Sequence, residues 1–198
     1  MERERAAATT MPRPNFFFAF PIDGQFVTSL PPLPPSFRLY HPDDVHLTLS
    51  FLGGCGQEAA ARALGALAEA LRREPRGGID VSLAEVVPMG PKREYSALSA
   101  LLERGRAPTV EHIAGLRDVV SEAALGRREQ RAPKPHVTIA KPRSRVTDAG
   151  REAGLSWASA LDLRAIEARL DRIALYTWSE GNRQERLFRI VAELPLGP

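Results

Sequence analysis

Two of the four histidines in this 198-residue chain open the same short pattern. Residues 46–49 read His-Leu-Thr-Leu within "HPDDVHLTLSFLGG", and residues 136–139 read His-Val-Thr-Ile within "APKPHVTIAKPRS". Along a β-strand, positions i and i+2 share a face. Each copy therefore presents an imidazole beside a hydroxyl, His46 with Thr48 and His136 with Thr138. Leu47, Leu49, Val137 and Ile139 turn to the opposite face, where they can anchor in a core. If the two strands lie together across a pseudo-two-fold, two imidazoles and two hydroxyls converge on one spot. Phosphodiester chemistry can use that set. A neutral imidazole takes a proton from an attacking water or hydroxyl, and an imidazolium gives one to the leaving oxygen. Each role is typically worth about 10²–10⁴ in rate. Threonine hydroxyls can donate hydrogen bonds to non-bridging phosphate oxygens. A strained cyclic phosphate, or one with a neighbouring ribose 2′-OH, needs no metal in principle.

One such pattern alone is an ordinary strand with a half-buried histidine. Its duplication is what gives it meaning, and it requires two β elements held by the rest of the chain. The apolar run "NFFFAFPI" (15–22) predicts a buried strand, and "VHLTLSFL" (45–52) another, stopped by Gly53-Gly54. "PPLPPSF" (31–37) reads as a proline-rich connection. Residues 57–74 place Leu64, Leu67 and Leu71 on one helical face. Strands are predicted over 79–87 and 93–103. A helix capped by Thr109 follows to about residue 125, with Val110, Ile113, Leu116 and Val120 inward. "PHVTIAKP" (135–142) is the second box strand. Residues 147–161 predict a helix facing inward through Ala153, Trp157 and Ala160-Leu161. "LDRIALYTW" (170–178) and "RLFRIVAEL" (186–194) close the chain as strands joined by the polar turn "SEGNRQE". Strands adjacent in sequence, with helices spaced between them, favour an α+β fold with antiparallel sheets. The two boxes suggest two similar lobes.

Composition sets wider bounds. Apolar residues make up 43 % and charged residues 26 %, ordinary for a globular chain able to bury its own core. The single cysteine, Cys55, excludes an intramolecular disulfide and fits a reducing compartment such as the cytoplasm. No apolar run approaches membrane-spanning length, and "MERERAAATTMPRPN" lacks the apolar stretch of a signal peptide. Residues 1–14 are expected to be a disordered extension and 15–198 one bilobal domain. The net charge of +3 is a mild basic bias, compatible with a polyanionic partner.

The two boxes, "HLTLSFLG" and "HVTIA", resemble those of the two-histidine phosphoesterases. The similarity is greatest to their bacterial and archaeal RNA 2′,3′-cyclic phosphodiesterases, the 2′-5′ RNA ligase-like branch. It spans most of residues 15–194, with "FFFAF", "RLYHPDDVHLTLSFLG" and "LDRIALYTWSEGNRQERLFRIV" where that family has comparable segments. The resemblance implies a bilobal α+β fold. Two antiparallel sheets would be related by a pseudo-two-fold around a central, positively lined cleft, with helices outside. It implies His46 as proton donor to the leaving 3′ oxygen, His136 as the acceptor that activates water, and a 2′-phosphate product. Thr48 and Thr138 would hold the phosphate, with Lys141 standing where the family often has arginine. Tyr40 stands near the place of an aromatic that commonly precedes the first box, and "EYSALSAL" departs from the family's middle. The expected partners are RNA or tRNA ends bearing a cyclic phosphate. No metal, cofactor or membrane is expected, and the chain is expected to act as a monomer.

Other features carry less. Lys134, Lys141, Arg143 and Arg145 flank the second box as candidate phosphate contacts, Lys141 foremost. Lys92 and Arg93 read as solvated. Tyr40 or a phenylalanine of 16–18 could stack on a base, although core packing suits those phenylalanines better. "HPDDVH" lacks a firm ligand set for a metal, Cys55 lacks the surroundings of a nucleophile, and "GGCGQE" lacks the ending of a phosphate loop. His112 is expected in solvent on its helix. Alternative readings are 2′-5′ ligation or 2′-5′ phosphodiester cleavage, hydrolysis of a small cyclic phosphate, and non-catalytic RNA or nucleotide binding.

Overall fold

The computed structural model describes residues 14–91, 94–181 and 185–197. Most of the N-terminal extension, Lys92 and Arg93, and part of the turn "SEGNRQE" lie outside the described residues. Among the described residues nine strands and three α-helices run in the order β1 (Phe16–Pro21), β2 (Phe37–Leu39), β3 (His46–Gly53), α1 (Gln57–Arg73), β4 (Ile79–Met89), β5 (Ala97–Leu102), α2 (Arg106–Leu125), β6 (His136–Pro142), α3 (Asp148–Ser159), β7 (Glu167–Leu170), β8 (Arg172–Trp178) and β9 (Phe188–Pro195). The α+β class with antiparallel pairing is as the sequence indicates.

The strands form a curled sheet in the order β7-β4-β5-β6-β3-β1-β8-β9, with β2 on β6. Two halves are visible in it. β6, β5, β4 and β7 form one, and β3, β1, β8 and β9 the other. They join where β3 meets β6, and the pair made there is Leu47 with Val137. The halves of the sheet are therefore not the halves of the chain. After Leu170 ends β7 at one extreme of the sheet, Arg172 begins β8 in the opposite half. The expected strand at 170–178 is in fact two, split at Asp171.

Each helix covers the sheet for a local reason. α1 buries Ala59, Ala60, Ala63 and Leu67, and the three alanines let it lie close on α2. Leu64 and Leu71 pack only at its margin. α2 begins earlier than expected, capped by Gly105 in the left-handed region (φ 75°). Thr109 sits inside its first turn and donates its hydroxyl to the Gly105 carbonyl oxygen at 2.7 Å. Ile113, Leu116 and Val120 face inward as expected. α3 is capped by Thr147, whose Oγ1 accepts from the Gly150 amide. Its inward row is Gly154, Trp157 and Ala158, whereas Ala153 and Ala160 are exposed. Gly154 is required there, because a Cβ would lie 2.3 Å from the Phe37 ring. Leu47, Leu49, Val137 and Ile139 are each at most 2 % exposed, so the apolar side of both boxes is core.

Candidate active site

The Leu47–Val137 pair fixes how the boxes meet. In an antiparallel ladder, one step to either side sets His46 against Thr138 and Thr48 against His136. The histidines are then diagonal neighbours, a separation of about 7–8 Å in a regular pair, wide enough to flank one phosphate. The structure thus brings together the four residues singled out by the repeat.

The two imidazoles are held alike. His46 Nδ1 lies 2.6 Å from the Asp44 carbonyl oxygen, and His136 Nδ1 lies 2.7 Å from that of Lys134. A carbonyl can only accept, so each Nδ1 carries hydrogen and donates. In the neutral ring each Nε2 is then a lone pair, free to take a proton. The residue two positions upstream fixes the tautomer in both boxes.

Their surroundings differ. His46 is enclosed by the rings of Phe17, Tyr40, Tyr176 and Phe188, at centroid distances of 4.9, 6.4, 5.4 and 5.6 Å. Burial in this cage pushes its pKa down to about 4, helped by the charges of Lys141 and His136 and opposed by the bond to Asp44. Those two charges act on His46 from within electrostatic reach. His136 is half-buried, and burial lowers it too.

Strict alternation would put the residues at odd spacing from each histidine in the core. A β-bulge in each box strand changes this. On β3, Ala19 pairs with Thr48 but Phe18 with Ser50, which leaves Leu49 as an extra residue. On β6, Ser99 pairs with Thr138 but Leu98 with Ala140, which leaves Ile139 extra. Both bulges fall on the fourth residue of the box. They reverse the phase, so the fifth residue after each histidine joins the histidine face. In one box that residue is Lys141, and in the other Phe51. Ser50 is correspondingly sent inward, where its hydroxyl meets that of Ser121 on α2 at 3.0 Å.

Lys141 is half-buried with its Nζ 5.4 Å from the Tyr40 ring centroid, a cation–π distance. Burial and the charge of Arg38 lower its pKa. Arg38 lies directly across β2 from Lys141. Like charges in that relation repel unless an anion sits between them. Tyr40 is 5 % exposed, and Phe16, Phe17 and Phe18 are at most 4 % exposed, so none offers a face to a base.

Two contributors lie outside the boxes. Ser99 Oγ is 3.1 Å from Thr138 Oγ1 and orients it. Asp44 is buried beneath the first box, where its carboxylate accepts from the amides of Leu187 at 2.7 Å and Phe188 at 2.9 Å. It thereby ties β9, and the Phe188 ring of the cage, to His46. Burial raises the Asp44 pKa against those two donors. Phe51, on the histidine face of the first box strand, is 61 % exposed. Nothing in the sequence marks Ser99 or Asp44 for these roles.

The remaining candidates find other uses. Arg143 Nε donates to the Phe37 carbonyl oxygen at 3.0 Å, anchoring β2. Lys134 lines a cleft of about 800 Å³ with Thr48 and His136. Arg145 is exposed, in a turn with φ 65°. His41 Nδ1 accepts from the Asp43 amide as a helix cap, and Asp44 faces β9, so "HPDDVH" does not converge on a point. Burial raises the Cys55 thiol's pKa, which keeps it protonated. His112 bridges the carbonyls of Pro108 and Gly77 instead of standing free in solvent. Among the described residues no helix is long and apolar enough to cross a membrane.

No family model matches the chain, and no curated protein matches it. Solved structures do. The chain is similar to E. coli LigT complexed with NADP+ (TM-score 0.66, 16 % identity, covering 95 % of this chain and 100 % of that one). It is similar to TT0787 of Thermus thermophilus (0.68, 18 % identity, 92 % and 97 %) and to Kluyveromyces marxianus Usb1 (0.57, 14 % identity, 92 % and 97 %). LigT has also been crystallised with ATP, 3′-AMP and phosphate. The fold is the one shared by these members of the two-histidine phosphoesterase superfamily, along nearly the whole chain.

Proposed function

We propose that this chain is a two-histidine phosphoesterase that opens 2′,3′-cyclic phosphates at RNA or tRNA ends to 2′-phosphates without a metal. The observation that carries this reading is the pair of Nε2 lone pairs set on the same face by matching Nδ1–H bonds to Asp44 and Lys134. A binder has no need of two titrating groups held in matched tautomers, whereas acid–base catalysis at phosphorus does. Fold neighbours crystallised with nucleotides support a nucleotide or RNA substrate.

In this mechanism the cyclic phosphate lies between the two imidazoles. Thr48 and Thr138 donate to its non-bridging oxygens, and Lys141 supplies positive charge beside His46. His136 takes a proton from water, which attacks phosphorus. The bond to the 3′ oxygen breaks, and His46 gives that oxygen a proton. His46 is neutral in the free protein, so this role requires the substrate's negative charge to raise its pKa on binding.

The test is turnover of a 2′,3′-cyclic nucleotide by the wild-type protein, with and without chelator, beside His46→Ala and His136→Ala. Losses of about 10²–10⁴ in each variant are expected. Full activity in either variant overturns the mechanism, and loss of activity on chelation overturns its metal independence. Product analysis separates hydrolysis to a 2′-phosphate from 2′-5′ ligation or cleavage.

A further inference from the structure

The threonines of the two boxes are equivalent in sequence but not in surroundings. β5 lies beside β6 as β1 lies beside β3. Each threonine therefore has an outer neighbour directly across the ladder, Ser99 for Thr138 and Ala19 for Thr48. With the Leu47–Val137 register, this gives two rows across the site, Ser99–Thr138–His46 and Ala19–Thr48–His136. Both outer residues are 0 % exposed. Ser99 brings its Oγ to 3.1 Å from Thr138 Oγ1, whereas alanine has no hydroxyl to offer Thr48.

A hydroxyl has one hydrogen to give and lone pairs that accept. If Thr138 gave its hydrogen to Ser99, none would remain for a phosphate oxygen. Ser99 faces no such competition, because among the described residues its buried hydroxyl meets only Thr138. A buried hydroxyl donates where an acceptor is in reach. Donation from Ser99 to Thr138 satisfies the buried group and leaves the hydrogen of the half-buried Thr138 for a ligand. Hydrogen bonds in such a chain polarise one another, so an accepting Thr138 is the stronger donor. Thr48 has no such partner on β1, and its hydroxyl rotor must be ordered by the ligand itself.

We propose that Ser99 is a positioning residue that commits the Thr138 hydroxyl to phosphate, so that the site holds the two non-bridging oxygens unequally, more firmly at Thr138 than at Thr48. This rests on the phosphoesterase reading above. In a nucleoside 2′,3′-cyclic phosphate those two oxygens are stereochemically distinct. Sulfur accepts hydrogen bonds poorly, so the inequality is readable as a preference between the Rp and Sp forms of a phosphorothioate analogue. Removing one neutral hydrogen bond corresponds to roughly 2- to 12-fold.

The experiment measures kcat/KM on adenosine 2′,3′-cyclic phosphate and on the Rp and Sp forms of its phosphorothioate, for wild type, Ser99→Ala, Thr138→Ala and the double variant. Inorganic phosphate is titrated into the same proteins by NMR. Ser99→Ala is expected to lower kcat/KM on the oxygen substrate, and to weaken phosphate, by roughly 2- to 12-fold. It should shrink the sulfur penalty of one phosphorothioate form and leave that of the other unchanged. In the Thr138→Ala background the same substitution should add less than about 2-fold, since Ser99 then has no threonine to act through. A serine that served only the packing of β5 would lower both backgrounds and both forms alike. That outcome, or a Ser99→Ala protein indistinguishable from wild type, overturns the proposal. If wild type turns over none of the cyclic substrates, the hydrolase reading fails, and the phosphate titrations still decide whether Ser99 acts through Thr138.

Discussion

Leu47 and Val137, the second residues of the two boxes, pair across the seam between the halves of the sheet. Each is fully buried, so a single core contact sets the register that puts each histidine opposite the other box's threonine. A slip of one residue would turn both histidines and both threonines into the core. The candidate site and the joining of the two halves thus depend on the same pair.

The two histidines can be told apart by leaving group. A cyclic nucleotide needs a proton on its departing alkoxide, but a p-nitrophenyl phosphodiester does not. If His46 is the donor, His46→Ala retains most activity on the aryl ester while losing about 10²–10⁴ on the cyclic nucleotide. His136→Ala loses a comparable factor on both, since water must still be activated. The opposite pattern in steady-state rates would exchange the roles.

Acid–base catalysis here also predicts an acid-shifted profile. The free protein must have one histidine protonated and the other neutral, and both lie below the ordinary value, His46 at about 4. The optimum of kcat/KM, which reports the free protein, therefore falls below about pH 6.5. Bound phosphate stabilises each imidazolium, so the kcat profile moves to higher pH. A flat kcat/KM between about pH 5 and 9, or an optimum near pH 8, would argue against two titrating histidines.

Folding stability responds in a related way. A histidine with a depressed folded pKa is neutral in both states above its unfolded value near 6.5, so it costs nothing there. As pH falls from about 6.5 toward 4, the unfolded chain binds a proton that the cage around His46 refuses. Stability should drop across that window by up to about 3 kcal/mol from His46, with a smaller loss of the same sign from His136. Urea midpoints at about pH 7 and 4.5 test this. His46→Gln should flatten the dependence, and an unchanged slope in that variant would place its origin elsewhere.

Both boxes, both chemical faces and most of the element order were legible in the sequence, because period-two alternation and caps act over a few residues. What was not legible depends on partners. Leu49 and Ile139 carry no mark of a bulge, yet the bulges decide that Lys141 and Phe51 face the site. β2 and β7 are three and four residues long and exist only through pairing with β6 and β4. Ser99 gains its role from standing opposite Thr138, and Asp44 from two amides more than a hundred residues away in sequence. Tyr40, read with Phe16–Phe18 as a possible base-stacking face, offers none, because it is buried in the wall around His46.

Asp44 is expected to be the most sensitive polar position. Asp44→Ala leaves the Leu187 and Phe188 amides buried without their acceptor, at about 1–3 kcal/mol each. Asp44→Asn keeps one carbonyl oxygen and should lose less. Chemical denaturation checks the order. A surface-like effect below about 0.5 kcal/mol for Asp44→Ala would show that β9 is held by other means.

Lys141 links binding to proton affinity. Its charge depresses His46, and it stands opposite Arg38 across the β2–β6 pair. Lys141→Gln should therefore do two things at once. Loss of a charged contact to phosphate weakens substrate binding by about 10-fold, from about 1.5 kcal/mol for a charge-assisted hydrogen bond. Loss of the neighbouring charge raises the His46 pKa in the free protein, visible in the pH titration of its ring proton by NMR. Lys141→Arg keeps the charge and adds a fork that can grip two phosphate oxygens, so its binding should match or exceed wild type with the His46 titration left low. A Lys141→Gln variant with unchanged KM and an unmoved His46 would remove Lys141 from the site.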